Sequence, residues 1–231
     1  MPDALTRKLE DYYMGDAGNR YRTVHLGVDN EDIYAAIARQ RARKLSPYIG
    51  TTDRVFEYGV GSGFNLTALR CEERVGYDLF DSAAELKKRG IRFCGDTASL
   101  STGYFDAVVC QHTLEHLVNP WAALAEMRRL LKRGGVLFVS VPFEVHRSYR
   151  RFDPTNIHQH LYSWNPQSLG MLLTKAGFKL EELEVRRFGY DRFAARLLRG
   201  TDNDLLYRLV HWALLRLRPR YEVVAVVRKL E

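Results

Sequence analysis

No stretch of the sequence approaches the roughly 18 uninterrupted apolar residues that a membrane-spanning helix needs. The opening residues, MPDALTRKLEDYY, lack the apolar run of a signal peptide. Cysteine is scarce: Cys71, Cys94 and Cys110 form no CxxC pair and no zinc-ligand spacing. They read as buried small hydrophobes in a reducing compartment. Internal repeats and low-complexity segments are missing too, which excludes solenoids and disordered linkers. The expectation is a soluble, cytoplasmic protein.

What is present suits a single domain, or one domain with an appendage, since the chain has 231 residues. Hydrophobic residues at 46% and charged residues at 27% leave enough apolar material for a sizeable core. The net charge of +7 is unevenly placed: residues 186–231 hold 11 Lys/Arg against 5 Asp/Glu, or +6. Such an end suits nucleic acid, an anionic membrane surface or an acidic substrate, and equally a solvated face.

Short β-type runs alternate with helical ones, the pattern of a parallel sheet covered by helices. Strands are expected at Arg54–Tyr58, Arg74–Asp78, Ile91–Cys94, Phe105–Cys110 and Val136–Val141. The last four contain continuous apolar runs, as in strands buried on both faces. Helices are expected near Phe64–Cys71, Asp81–Arg89 and Trp121–Lys132. The third follows Asn119-Pro120, a cap and first-turn pair, and stops at Gly134-Gly135. A polar, His- and Arg-rich stretch from Pro142 to Trp164 precedes a helix from Pro166 to Ala176 and a strand from Phe178 to about Val185. Tyr221–Lys229 closes the chain as an apolar, β-branched strand, after a basic amphipathic segment at Asp191–Arg218. An N-terminal arm to about Asn30 and a helix at Glu31–Leu45 precede the core. The division read from this is an arm and helix at 1–45, covering the ligand site, and a domain at 46–231 with a basic helical insert near 191–218.

Glu57-Tyr58-Gly59-Val60-Gly61-Ser62-Gly63-Phe64 takes a strand through a glycine turn into a helix. The glycines let a ligand approach the main chain, and the helix start offers free N–H groups. A dinucleotide site would want G-x-G-x-x-G, but Phe64 stands where its third glycine would. Glu57 beside the turn would repel a pyrophosphate and hold an ammonium, which favours a cofactor with an amino-acid end over NAD. Asp78 ends the second strand 21 residues after Glu57, placed to take two ribose hydroxyls. Asp96, just past the third strand, can accept from an exocyclic amine. Each aspartate alone could be a cap or turn former. Three acids at successive strand ends fit a ligand at the carboxyl edge of the sheet.

EYGVGSG, GYD, the Gly95-Asp96 pair, FDAVVCQHTLEHL, LLKRGGVLFVSVP and HLYSWNPQSLGMLLTKAGF occur in this order between Val55 and Phe178. Together they resemble the class I S-adenosylmethionine-dependent methyltransferases, especially small-molecule enzymes related to those of quinone biosynthesis. The resemblance implies a Rossmann-like α/β fold whose seven-stranded sheet has the order 3-2-1-4-5-7-6, with strand 7 antiparallel. It implies S-adenosyl-L-methionine as cofactor: Glu57, Gly59, Gly61 and Gly63 at its methionine end, Asp78 on the ribose, Leu79 beside the adenine, and Asp96 and Thr97 flanking the adenine amine. Gln111 and His112 would lie near the sulfonium. Tyr12, Tyr13, Tyr21 and Arg22 are candidates on an arm that closes over it.

Methyl transfer needs an in-line nucleophile, and a general base only where the acceptor is protonated. Base candidates are His112 and His146, with His158 and His160 in the same polar segment. His112 and His116 stand four apart with Glu115 between, but this run is read as a helix start, with His116 packing or capping, and no metal is assigned. Cys110-Gln111-His112-Thr113 lacks the Asn/Asp-Pro-Pro-aromatic turn of amino methyltransferases acting on adenine, cytosine or glutamine, and Cys110 reads as strand core. Leu205, Leu206, Leu209, Val210, Ala213, Leu214 and Leu217 recur at helical spacing among Arg208, Arg216 and Arg218. That is a helix over the sheet end or a homodimer surface; the sharper reading is an interfacial helix with Trp212 and Tyr207 at headgroup level. The expected function is methyl transfer to a small-molecule acceptor, oxygen favoured, such as a glycan precursor, secondary metabolite or lipid-linked compound. Its rivals are an RNA methyltransferase, for which no nucleic-acid module is visible, and a non-catalytic cofactor-binding subunit.

Overall fold

The computed structural model describes residues 30–144, 156, 158–199, 203–217 and 219–230. The helix α1 (Glu31–Leu45) is capped by Asn30, whose side chain accepts from Ile33 N. The chain then alternates through β1 (Arg54–Tyr58), α2 (Phe64–Thr67), β2 (Glu73–Tyr77), α3 (Ala83–Lys88), β3 (Arg92–Cys94), β4 (Phe105–Gln111), α4 (Pro120–Leu130) and β5 (Leu131–Phe143). It finishes with α5 (Pro166–Lys175), β6 (Phe178–Phe188), α6 (Asp191–Leu197), α7 (Asp204–Leu217) and β7 (Arg220–Lys229). The seven strands lie in the order β3-β2-β1-β4-β5-β7-β6. β7 runs antiparallel to both β5 and β6, the other pairings being parallel.

The apolar runs alternate between two cores. Phe56, Val108, Cys110, Leu137 and Val139 pack with α4 and α5, while Val55, Ala107, Val109, Phe138 and Val224 pack with α1, α2 and α3. A strand that supplies both cores has no polar face, which is why β4, β5 and β7 read as unbroken hydrophobic runs. β6 is the opposite case. It lies at the sheet edge, is mostly exposed and carries Glu181, Glu182, Glu184, Arg186 and Arg187, charges that discourage further strand pairing.

Several boundaries differ from expectation. α4 stops at Leu130 and the chain is extended from Leu131, with a register shift before Ala107↔Val136 that absorbs Lys132-Arg133-Gly134-Gly135. The expected helix at Phe64–Cys71 is a single turn, and the one at Asp81–Arg89 is held to Ala83–Lys88. Leu114–His116 forms a 3-10 turn, and the α-helix begins only at Pro120. Cys71 is half-buried, whereas Cys94 and Cys110 are buried. The helical insert expected near 191–218 consists of two helices. α6 and α7 pack Ala194, Ala195 and Tyr207 on Ile33 and Ile37 of α1, a third and smaller cluster. No described helix is long and apolar enough to cross a membrane. The arm residues Tyr12, Tyr13, Tyr21 and Arg22 lie outside the described residues.

Gly76 shows how tightly the carboxyl edge is packed. A Cβ there would sit 2.5 Å from Val60 Cγ2, and Val60 itself is buried in the glycine turn. Gly76→Ala is expected to lower unfolding free energy by about 1–3 kcal/mol, the usual effect of overpacking. Gly50→Ala, where the nearest atom is 3.5 Å away, should stay within about 0.5 kcal/mol in the same urea titration.

Candidate active site at the carboxyl edge of the sheet

The glycine turn rests on the end of β2, because Gly59 N and Val60 N both donate to Tyr77 O, at 2.8 and 2.9 Å. Gly59 has φ +82°, and a Cβ there would lie 2.2 Å from Thr113 Oγ1. Gly61 and Gly63 also have positive φ, at 52° and 76°. Only glycine takes this path without strain. Tyr34 of α1 fastens the turn from above, donating to Ser62 O at 2.6 Å and sharing a 2.8 Å contact with Thr67 Oγ1.

Asp78 faces the turn directly. Its Oδ2 accepts from Gly61 N at 2.8 Å and its Oδ1 from Phe80 N at 3.2 Å. Leu79 beside it leaves 39% of its surface exposed, an apolar face at the mouth of the edge. Asp96 has the capping role that the sequence left open: Oδ1 accepts from Ala98 N at 2.9 Å and starts the 3-10 turn Thr97–Ser99. Arg129 holds this turn, donating to Thr97 O at 2.9 Å.

Glu57 is fully buried at the end of β1. Asn65 donates to its Oε1, while Oε2 has no partner among the described residues. Burial pushes its carboxyl up to about 8, against the opposing pull of Asn65 and Arg41. At the end of β4, Gln111 Oε1 accepts from Arg41 Nη1 at 3.3 Å and its buried Nε2 has no partner among the described residues. An unpaired buried polar atom costs about 1–3 kcal/mol. This edge therefore presents an unsatisfied carboxylate oxygen and an unsatisfied amide donor, which suit a ligand with both an ammonium and acceptor oxygens.

His112 follows with φ +49°, an uncommon conformation for a non-glycine residue. Its backbone N donates to Ser140 O at 2.8 Å, its ring stacks on Phe188 with centroids 4.9 Å apart, and Nε2 lies 3.1 Å from Glu222 Oε2. Burial lowers the pKa of His112, although Glu222 pulls it upward. Lys44 Nζ donates to Glu222 Oε1 at 2.5 Å. Burial would raise the Glu222 carboxyl, but Lys44 and His112 outweigh it and hold it at about 2. Glu222 is therefore ionised, so His112 Nε2 carries the ring proton and Nδ1 the lone pair. Arg41 also pairs with Asp191 at 2.8 Å, and Asp191 with His211 at 3.1 Å.

Arg41, Lys44 and Glu222 escaped the sequence reading. Their partners are far away in the chain, and in α1 the two bases look like an ordinary solvated face. His146 lies outside the described residues. His160 is in place near β4, with Nδ1 2.9 Å from Glu144 Oε1.

Sheet order and glycine turn together define a class I methyltransferase fold. The chain belongs to the methyltransferase-domain family, whose model matches residues 30–183. It is 31% identical over 121 residues to the ubiquinone biosynthesis O-methyltransferase of Xanthomonas oryzae pv. oryzae (strain PXO99A), covering 48% of this chain and 51% of that one. The enzyme of the same description from Thiobacillus denitrificans is 31% identical over 176 residues, 66% of this chain and 76% of that one. The chain thus spans about half the length of the first of these relatives. Among solved structures, the Burkholderia thailandensis 1,6-didemethyltoxoflavin N1-methyltransferase, with its substrate and S-adenosylhomocysteine bound, superposes with a TM-score of 0.64 at 20% identity, covering all of this chain and 93% of that one. The Haemonchus contortus phosphoethanolamine N-methyltransferase 2 with S-adenosyl-L-methionine gives 0.62 at 15%, covering all of this chain and 61% of that one. At these identities the likeness is one of fold.

Glu222→Gln is expected to leave Lys44 without its counter-charge and to lower stability at pH 7 by about 3–5 kcal/mol. The carboxyl lies below its ordinary value of 4.5, so its stabilisation is complete above that pH and is lost as pH falls toward about 2. Urea titrations between pH 7 and pH 3 should show wild type losing stability more steeply than the variant below about pH 4.5. Parallel curves would show that another group carries the acid sensitivity.

Proposed function

We propose that the chain transfers a methyl group from S-adenosyl-L-methionine to a small-molecule acceptor, with a hydroxyl oxygen as the acceptor atom. The observation that carries this is the buried Glu57 Oε2, without a partner among the described residues, beside a glycine turn that Asp78 holds from the neighbouring strand. The curated relatives, described as O-methyltransferases, support oxygen.

When bound, the cofactor supplies an electrophilic methyl group. Glu57 would take its ammonium and Asp78 its ribose hydroxyls, while Leu79 would lie against the adenine and Asp96 and Thr97 would flank the adenine amine. Gln111 and His112 would stand at the sulfonium. His112 is the proposed general base. Its neutral ring offers the Nδ1 lone pair to the acceptor hydroxyl, and Glu222 stabilises the imidazolium that forms.

α7 bears on where the acceptor resides. It seats Tyr207, Val210 and Leu214 against α1, yet Leu205, Leu209 and Trp212 point outward and are mostly exposed. Arg216 lies over the Trp212 ring at 4.3 Å, and Arg208 lies on the same helix. An outward apolar stripe with arginines suits an anionic lipid surface, where a lipid-linked acceptor would be found. Binding to phosphatidylglycerol vesicles should exceed binding to phosphatidylcholine vesicles and fall in the double variant Leu209→Asp, Trp212→Ala. Equal retention of wild type and variant would remove this reading.

The primary test is calorimetric titration with S-adenosylmethionine and S-adenosylhomocysteine. Wild type should bind at micromolar levels, and Asp78→Ala should weaken binding tenfold or more, about 1.4 kcal/mol. Glu57 is protonated at pH 7 in the free protein, so binding an ammonium should release a proton, visible as a buffer-dependent heat that Glu57→Gln abolishes. Absence of binding by folded wild type would end the proposal.

A further inference from the structure

Among the described residues, two buried atoms of opposite kind stand without partners on facing elements. Glu57 Oε2 on β1 is a carboxyl acceptor, and Arg41 Nε on α1 is a guanidinium donor. Glu57 lies opposite Val109 in the β1–β4 pairing, and Val109 packs on the side of the sheet that α1 covers. Gln111, two residues on, is on that same face. Arg41 reaches it, donating to Gln111 Oε1, and its charge pulls on Glu57. An arginine and a carboxylate this near commonly close a bidentate pair. Here they do not, and both atoms stay buried and unpaired, which costs free energy.

The start of α6 is what occupies Arg41. Asp191 Oδ2 takes its Nη2 at 2.8 Å, while Nη1 is drawn to Gln111 at 3.3 Å, so both ends of the fork are engaged. Asp191 is itself fixed from α7. Its Oδ1 lies 3.1 Å from His211 Nε2, which also lies 2.7 Å from Gly189 O, and its backbone O accepts from Tyr207 at 3.0 Å. Burial would raise the Asp191 carboxyl, but Arg41, His211 and Lys44 hold it below its ordinary value, so it is an ionised counter-charge. The other groups acting on Arg41 are Glu222, Glu57 and Tyr207, and those acting on Glu57 besides Arg41 are Asn65 and Asp78. Glu222 is already held by Lys44 and His112. Glu57 is therefore the carboxyl left to Arg41 once Asp191 is neutral.

We propose that Asp191 is a positioning residue for the cofactor site, holding Arg41 against Gln111 and so keeping the ammonium seat at Glu57 open. Without its charge Arg41 turns to Glu57, the carboxyl ionises, and a cation of the protein's own stands where the ligand's would. The placement of Arg41 does not depend on what binds there; the loss of affinity rests on the cofactor reading proposed above. Asp191 lies past the end of the family match at residue 183. The helical insert thus reaches the carboxyl edge of the sheet through one carboxylate.

The test uses the full chain with ¹³C-labelled glutamate, Glu57 being assigned through Glu57→Gln. In wild type the Glu57 carboxyl should titrate at about 8, where burial pushes it. In Asp191→Asn it should fall toward the ordinary carboxylate range. The same variant should bind S-adenosylhomocysteine at least fivefold more weakly and lose the buffer-dependent heat of binding. Asp191→Glu should restore all three. The double variant Arg41→Gln, Asp191→Asn should return the Glu57 carboxyl to its raised range, because the competing cation is gone; a carboxylate that merely braces the fold would leave it as in the single variant. Should Asp191→Asn fail to fold, Asp191→Ser, which admits water to the guanidinium, is read in the same way. A Glu57 titration unmoved by the loss of Asp191, or lowered equally in the double variant, overturns the role of Asp191, and so does undiminished affinity. Wild type that still binds S-adenosylhomocysteine then leaves the methyltransferase reading intact. A Glu57 titration that moves as expected in a protein that binds no S-adenosylhomocysteine upholds the placement of Arg41 and overturns the cofactor reading.

Discussion

The Glu222 carboxylate is the contact on which the carboxyl edge depends. It enters at the start of the antiparallel strand β7, takes Lys44 of α1 on one oxygen and His112 on the other, and is 2% exposed. A buried ion pair of this kind adds little net stability over an apolar substitute. It fixes geometry instead. Lys44 sets α1 against the sheet, Arg41 one turn earlier reaches Gln111 and Asp191, and Tyr34 lands on the glycine turn. Through Asp191 and His211 the same network holds α6 and α7 against α1.

The second constraint is steric. Gly59 approaches Thr113, Val60 fills the space over Gly76, and Gly63 approaches Leu86 and Ile91. The turn is packed from both neighbouring strands, so its backbone N–H groups point where the sheet dictates. Asp78 uses one of them, Gly61 N, as a positioning contact. That contact explains why an acid at the end of β2 and a glycine three residues past the end of β1 belong together.

Elements with a local cause were legible in the sequence. α1 was expected at Glu31–Leu45 and lies there, because Asn30 caps it and its apolar face has helical period. β1 was likewise expected at its observed bounds. The strand order came from family resemblance, since no periodicity says which strand pairs with which. Boundaries failed where tertiary pairing overrode local signals. Lys132-Arg133-Gly134-Gly135 reads as a helix end, yet Leu131 already pairs with Phe105. At the site, Glu57, Asp78 and the glycines stood out because their spacing is local. Lys44–Glu222 spans 178 residues and Glu144–His160 joins two irregular segments, and neither leaves a pattern in composition or period.

The unsatisfied buried atoms are unevenly spread. Among the described residues, six of nine such atoms (Arg41 Nε, Glu57 Oε2, Asn65 Oδ1, Gln111 Nε2 and both oxygens of Glu115) belong to α1, the ends of β1 and β4, and the turns that follow those strands, while Arg89 Nε, Ser140 Oγ and Trp164 Nε1 lie elsewhere. Each costs about 1–3 kcal/mol where a core residue would normally be paired. A chain whose strands, helices and cores are otherwise mutually consistent concentrates this expense at the proposed ligand site, and the positive φ of His112 lies in the same place. On the proposed reading, the free energy withheld there would return when a ligand pairs with those atoms, so binding at this edge and stability of the fold would be two readings of the same contacts.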